Sequence, residues 1–303
     1  MRTLAGQLRA LPSRTRAILL ILLAVFFFSI LETTAKYLSQ FYPVIEVVWL
    51  RYTVHLAVMF VLLAPRVGKR LIATENLGGQ LLRAALLMGS TLCNVGALSK
   101  LPLAEVKAIS FVSPLLVTIF AVSLLRERVS WDRWVAVLVG FGGTLFIVRP
   151  GSAMVSWPAF LALGTATFYS LYQIMTRRIS VTEAPVATLF YSAMVGCACL
   201  AVVVPFYWVT PSLIHIPLFI LLGSMGAAGH YALIKAIELE LASTLSAFGY
   251  AQLLWVILWG WLIFGQLPDA HAYIGMAIIS ASGLYVALGH KFLRREEPET
   301  AID

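Results

Sequence analysis

Charge is what this 303-residue sequence has little of: 12% of its residues are Asp, Glu, Lys or Arg, about half the share of a soluble domain. A soluble globule is thereby excluded, and 60% hydrophobic content with a mean hydropathy of +0.90 reads as an integral membrane protein. Cysteine is scarce as well. Cys93, Cys197 and Cys199 all fall in apolar runs, and Cys197-x-Cys199 points two ways on a helix, so all three read as small core residues and no metal site is expected. H-E-x-x-H and the phosphate-binding P-loop are missing, and no aspartate stands in the interior of an apolar run. A zinc peptidase, an ATP-driven pump and an intramembrane aspartyl pair are therefore not encoded, and no cofactor is implied. Gly223-Ser224-Met225-Gly226 sets a serine between glycines, but His230 is six residues on and off its face, so no nucleophile is prepared. The net charge of +8 does not signal nucleic acid, because the basic residues lie between apolar runs and build no aromatic-basic platform.

What is present is a series of apolar runs near 20 residues, the length that crosses a bilayer. They fall at about 17–38, 44–63, 80–99, 103–125, 131–148, 157–177, 185–207, 214–236, 242–264 and 270–290. Prolines in "FYPVIE", "KLPLAE", "VRPGSAM", "VTPSL" and "QLPDA" stand at or near helix starts, where a missing N–H costs little. Arg2, Arg9, Arg14 and Arg16 precede the first run, as in a signal peptide. Phe26–Phe28, Glu32 and Lys36 occupy the place of a cleavage site, so the run is expected to be a retained span. With a cytoplasmic N-terminus, 17 of the 22 Lys and Arg fall inside and 3 outside, which satisfies the positive-inside rule and puts both termini in the cytoplasm.

The chain also repeats. "SILETTAKYLS" (29–39) aligns with "SLYQIMTRRIS" (170–180), setting Lys36 against Arg177 and Glu32 against Gln173. "ALSKLPLA" (97–104) aligns with "AIELELAS" (236–243), and "LLRERVSW" (124–131) with "IFGQLPDA" (263–270). Five spans per unit force the second unit into the membrane upside down. The expected fold is therefore all-α, ten transmembrane helices in two inverted repeats, 1–150 and 151–291, followed by a polar tail, 292–303. Inverted repeats of this kind mark alternating-access carriers, with the site near the midplane between the halves.

The stretches "PVIEVVWLRY", "ALSKLPLAEVKAISFVSPLLVTIFAVSLLRERVSWDRWVAVLVGFGGTLFIV" and "AIELELASTLSAFGYAQLLWVILWGWLIFGQLPDA" resemble the paired EamA domains of the drug/metabolite transporter superfamily. Shared features are Arg51 early in span two, Ser113-Pro114 in span four and the link Arg126-Glu127-Arg128. The second copy departs from the pattern, with Gln266 where an acid is common and no match to Pro114. The resemblance implies an inner-membrane carrier of small organic solutes such as amino acids, vitamins, nucleotide-like cofactors or opine-type metallophores.

Polar residues inside the spans are the candidate site, since intramembrane charge is costly and functional by default. Ser29, Glu32, Thr33 and Lys36 share one face of span one. Glu32 and Arg51 are expected at one depth, on spans joined by a five-residue loop, and hence as an ion pair with Lys36 nearer the surface. A static pair that fixes two helices explains the same residues as well as solute contact does. His55, one turn beyond Arg51, and His230 are the candidates for carrying a coupling proton, with a hydrogen-bonded core histidine as the plainer reading. Asn94 in span three, Lys107 and Ser110 in span four, and Tyr169, Tyr172 and Gln173 in span six complete the central set, with Ser246 and Tyr250 in span nine. Trp255, Trp259 and Trp261 are expected on lipid or packing surfaces. Lys36, Lys100 and Glu105 outside, and Lys235, Glu238 and Glu240 inside, are candidate gates; solvated helix ends explain them equally.

These features point to a secondary transporter of a small amphipathic or zwitterionic, amino-acid-derived metabolite, moving it outward. The alternative is uptake of a vitamin or nucleotide-like cofactor of riboflavin or S-adenosylmethionine type. A membrane-embedded enzyme or a lipid-handling protein accounts for the spans but not for the repeat with its polar midplane. Partners are the solute, the bilayer and a coupling proton or ion, without nucleic acid; a monomer and a homodimer both fit.

Overall fold

The computed structural model describes residues 11–126, 130–148, 157–241 and parts of 244–285. Among them only helices and turns occur: α1 Ser13–Leu38, α2 Val44–Leu62, α3 Leu77–Leu98, α4 Leu103–Ser110, α5 Ser113–Leu125, α6 Trp131–Val148, α7 Trp157–Ile179, α8 Pro185–Ala201, α9 Ile216–Leu239 and α10 Gln252–Phe264. Five stretches are long and apolar enough to cross a membrane: α1, α2, α3, Leu103–Leu125 and Leu213–Leu239. Pro12, Pro43 and Pro102 each stand immediately before a helix, and Pro185 begins α8. Their fixed φ suits a helix start, and their missing N–H leaves no donor unsatisfied. Pro150 and Pro268, the link residues Glu127 and Arg128, and the tail 292–303 lie outside the described residues.

The outer surface is unlike that of a soluble protein. Phe60, Leu254 and Ile263 are more than half exposed, whereas Ser29, Thr176 and Ser192 are fully buried. An apolar exterior around a polar interior is the arrangement a bilayer demands.

Helix directions follow from the side-chain contacts. Glu32 meets Asn94 and Lys36 meets Leu98, so α1 and α3 run parallel. Arg83 meets Thr176 and Ser90 meets Thr165, so α3 and α7 run antiparallel. α9 passes between α1 and α2. A Cβ on Gly226 would lie 3.2 Å from Leu31 of α1 and 3.3 Å from Arg51 of α2, and one on Gly229 would lie 2.6 Å from Phe28. Larger residues at these two positions would push the three helices apart.

The fourth apolar run is not one helix. α4 ends at Ser110 and α5 begins at Ser113, with Pro114 in its first turn. Ahead of α10 the chain makes a 3-10 turn, Ala247–Ala251. Broken backbone at membrane depth is tolerated where it lines a cavity.

A polar cavity with a buried ion pair

α1 brings Glu32 to the centre of the bundle at 6% exposure. The expected partner was Arg51, but the structure pairs Glu32 with Lys107 of α4, whose Nζ lies 2.6 Å from Oε1. The amides of Gln252 and Asn94 also donate to this carboxylate, at 2.9 and 3.4 Å. Arg51 turns the other way. Its Nη1 donates to Thr91 Oγ1 at 2.8 Å and its Nη2 to His230 Nε2 at 2.9 Å. The correction has a simple cause: α1 and α2 are joined by a short loop, yet α9 lies between them at the level of both charges.

A guanidinium only donates, so His230 Nε2 must accept and the ring is neutral. Its proton sits on Nδ1, which faces Tyr172 Oη at 3.1 Å. Tyr172 Oη also accepts from Arg83 Nη2 at 3.0 Å. Arg83 is fully buried and is held by Thr176 Oγ1, the carbonyl of Thr188 and Ser192 Oγ, at 2.7–2.9 Å. Sequence reasoning placed Arg83 among the cytoplasmic cations, and so missed it. Of Tyr250 and Gln252, which are two residues apart and cannot share a helix face, it chose Tyr250, whereas Gln252 lines the cavity.

Around these groups lies a cavity of about 120 Å³. One water needs about 10–15 Å³ of such space, so it admits on the order of ten waters or a solute of that bulk. Glu32, Arg51 and Asn94 line it, together with Lys107, Ser110 and Pro114. Tyr169, Gln173, His230 and Gln252 also line it. Tyr172 is outside the lining, stacked on Tyr169 with ring centroids 5.8 Å apart. His55 is fully buried outside the lining, and neither ring nitrogen has a hydrogen-bond partner. Ser246 and the side chain of Tyr250 lie outside the described residues. Two cavity atoms stay buried without partners: Arg51 Nε, a donor, and Asn94 Oδ1, an acceptor. The arrangement can hold a solute bearing both an acceptor and a donor. Among the described residues no three of His, Cys, Asp and Glu are grouped to hold a metal.

The expected gate residues divide. Lys36 does not approach the surface: at 8% exposure its Nζ donates to the carbonyls of Leu98 and Leu101 at 3.1 and 2.7 Å. The carbonyl of Leu98 ends α3 without a partner in its own helix, and that of Leu101 lies in the loop that follows; the cation completes both. Glu105 lies within electrostatic reach of Lys36, and Lys100 is exposed. Lys235 and Glu238 form a half-exposed pair at 2.9 Å, and the side chain of Glu240 accepts from the N–H of Leu241. Trp259 donates to Ser29 Oγ at 3.0 Å, Trp255 stacks on it, and Trp261 is exposed. At the far end of the bundle Glu183, in the α7–α8 loop, accepts from Thr74, the N–H groups of Glu75 and Asn76, and Gln80. Burial alone would raise its carboxyl pKa, but these four donors outweigh it and hold the group below the usual carboxylate range.

The sequence profile of the EamA-like transporter family matches residues 15–149 and again 156–288. This chain belongs to the EamA-like transporter family. Family membership makes it a multi-pass membrane transporter rather than an enzyme, and bacterial relatives cover nearly all of it. It is 28% identical to an S-adenosylmethionine uptake transporter of Rickettsia prowazekii, over 93% of this chain and 96% of the relative. It is 29% identical to a riboflavin transporter of Vibrio cholerae, over 86% and 88%. It is 27% identical to a pseudopaline exporter of Pseudomonas aeruginosa, over 86% and 92%. A solved crystal structure superposes with a TM-score of 0.76 over 93% of this chain and all of the other, at 19% identity, and so shares the fold.

Proposed function

We propose that this EamA-family chain is a secondary carrier. It takes a small zwitterionic or amphipathic, amino-acid-derived metabolite into the central cavity and exposes it alternately to the two faces of the inner membrane. Its ten spans form two inverted repeats with both termini cytoplasmic, and the direction is export.

The observation that carries this reading is a contact made twice. Lys36, in the last turn of α1, donates to the carbonyl of Leu98 at the end of α3. Arg177, in the last turn of α7, donates at 2.8 Å to the carbonyl of Ile237 at the end of α9. The two cations are 141 residues apart and the two acceptors 139, and the two family matches begin 141 residues apart. Because α1 and α7 run in opposite directions, the contacts lie at opposite ends of the bundle, one on each side of the cavity. Each ties two helices across one mouth, as two gates of an alternating-access carrier require. Between them, Asn94 Oδ1 and the Glu32 carboxylate suit an ammonium, and Arg51 Nε suits a carboxylate.

Uptake is the second reading, favoured by the likeness to uptake transporters over nearly the whole chain. Reconstitution into proteoliposomes of known orientation, with a panel of amino acids, opines, riboflavin and S-adenosylmethionine, separates the two. Export predicts concentrative movement from the cytoplasmic face; movement only from the opposite face establishes uptake. Fluxes equal to those of empty vesicles for the whole panel refute the carrier reading.

A further inference from the structure

A fourteen-residue link joins two long helices at each end of the bundle: residues 63–76 between α2 and α3, and residues 202–215 between α8 and α9. The links start 139 residues apart, as counterparts in the two matched halves of the chain. Arg83 of α3 meets Thr176 near the end of α7, so the first link lies at the Arg177 end. Tyr42, just past α1, meets His215, so the second lies at the Lys36 end.

Both links are strapped to the bundle. In the first, Val67 and Leu71 pack with Met59 and Leu189, and Tyr191 donates to the carbonyl of Ile72. Glu183 holds its far end through Thr74 and the N–H groups of Glu75 and Asn76. In the second, Glu46 accepts from the N–H of Val209, and Tyr42 from that of Ser212. What the two turn outward differs. The second exposes Phe206, Tyr207, Trp208 and Leu213 and contains no Asp, Glu, Lys or Arg. The first exposes Arg66, Lys69 and Arg70, with Glu75 as its one acid. None of these three cations makes an ion pair or hydrogen bond with a described residue. Beside them Phe60, Val61, Leu62 and Ile72 are more than half exposed, where α2 ends its apolar span. The cations therefore stand at the rim of the lipid-facing surface. Orientation in the membrane asks only that cations stay on one side; it does not require the segment that bears them to be fastened beside an apolar wall.

We infer that the 63–76 link is a docking site for anionic phospholipid. The phosphodiester of a lipid in the adjoining leaflet sits among Arg66, Lys69 and Arg70, and its acyl chains lie along Phe60, Val61 and Ile72. Guanidinium and ammonium groups meet phosphate oxygens through charge-assisted hydrogen bonds, and the strap holds the three cations at headgroup depth. Its uncharged, aromatic counterpart suits the interface of the other leaflet without selecting headgroup charge.

Thermal unfolding of the detergent-purified full chain tests this, with titration by dioleoylphosphatidylglycerol, dioleoylphosphatidylcholine or inorganic phosphate at constant ionic strength. Phosphatidylglycerol should stabilise the parent at a lower concentration than phosphatidylcholine, and inorganic phosphate should leave the unfolding temperature unchanged. Lys69→Gln/Arg70→Gln should raise the half-saturating concentration of phosphatidylglycerol by about 25-fold, about fivefold for each basic residue at an anionic surface. Arg14→Gln/Arg178→Gln, which removes the same charge at the same end but outside the link, should titrate like the parent. Native mass spectrometry of Arg66→Gln, counting bound phosphatidylglycerol against the parent, gives a second reading should the double variant express poorly; fewer bound lipids are expected. Equal stabilisation by the two lipids overturns the inference, as does a preference for phosphatidylglycerol that the link variants keep or that the Arg14/Arg178 control loses equally. Stabilisation by inorganic phosphate equal to that by phosphatidylglycerol marks a site for soluble anions and overturns it too.

Discussion

Replacing Lys107 by methionine removes the ammonium from the buried pair and keeps most of the side-chain volume. Glu32, at 6% exposure, then stays buried with two amide donors, Gln252 at 2.9 Å and Asn94 at 3.4 Å, and without a cation. Breaking a buried pair from one side costs about 3–5 kcal/mol. The lower end applies here, because Gln252 keeps its hydrogen bond and the cavity admits water. A loss of about 3 kcal/mol corresponds to roughly 6–12 °C in unfolding temperature for a chain of this order. Adding Glu32→Gln to Lys107→Met removes both charges together and leaves three amides able to bond one another, so the double variant should recover to within about 1 kcal/mol of the parent. Thermal unfolding of the four detergent-purified proteins closes the double-mutant cycle, with an expected coupling of at least about 2 kcal/mol, larger by whatever Glu32→Gln costs alone. Transport should be lost in the double variant although its stability returns, because the solute's ammonium loses its carboxylate. Additive penalties, or a double variant that transports at the parental rate, would refute the reasoning.

Arg83→Met should give little folded protein, because four buried acceptors lose their donor at once. Arg83→Lys should recover only part, since an ammonium lacks the planar fork that reaches Thr176, Thr188, Ser192 and Tyr172 together; size-exclusion profiles of the expressed variants measure both. Glu183→Gln should cost about 1–2 kcal/mol at neutral pH, the worth of donors to an ionised acceptor. The Glu183 carboxyl is held low when folded, so its contribution is complete above the usual carboxylate range near pH 4 and fades as pH falls through the lowered folded value. Unfolding temperatures of the parent and of Glu183→Gln should therefore converge in acid; a constant gap across that window would contradict the assignment.

Much of this site could be read before its geometry was known. Glu32, Arg51 and Lys107 stand out because charge inside an apolar run has to be compensated, and all three reach the same cavity. Helix starts were legible at Pro43 and Pro102, where ring chemistry leaves few alternatives. The pairing was not legible. A five-residue loop between α1 and α2 argued for contact, but α9, far along the chain, inserts there because Gly226 and Gly229 present no side chain. Gln252 was passed over in favour of Tyr250. A continuous helix sets it and Tyr250 on different faces, and the sequence does not announce the 3-10 turn up to Ala251 after which α10 begins at Gln252. Arg83 sits near the end of its apolar run, where a cation ordinarily reaches water. Its burial comes from hydroxyls on α7 and α8, and nothing in its own segment announces them.

Alternate opening at the two ends of the bundle is the claim on which the carrier stands or falls. The most direct measurement places a single reporter, Ser110→Cys, on the cavity wall of a chain whose Cys93, Cys197 and Cys199 have been replaced. Its labelling by a membrane-impermeant maleimide is then followed from each face of oriented proteoliposomes. Lys36→Met, which frees the carbonyls of Leu98 and Leu101, should raise labelling from the face at the α1 C-terminus alone. Arg177→Met, which frees that of Ile237, should raise it from the opposite face alone. Labelling that rises from the same face in both variants, or from neither, would contradict the paired gates and the carrier built on them.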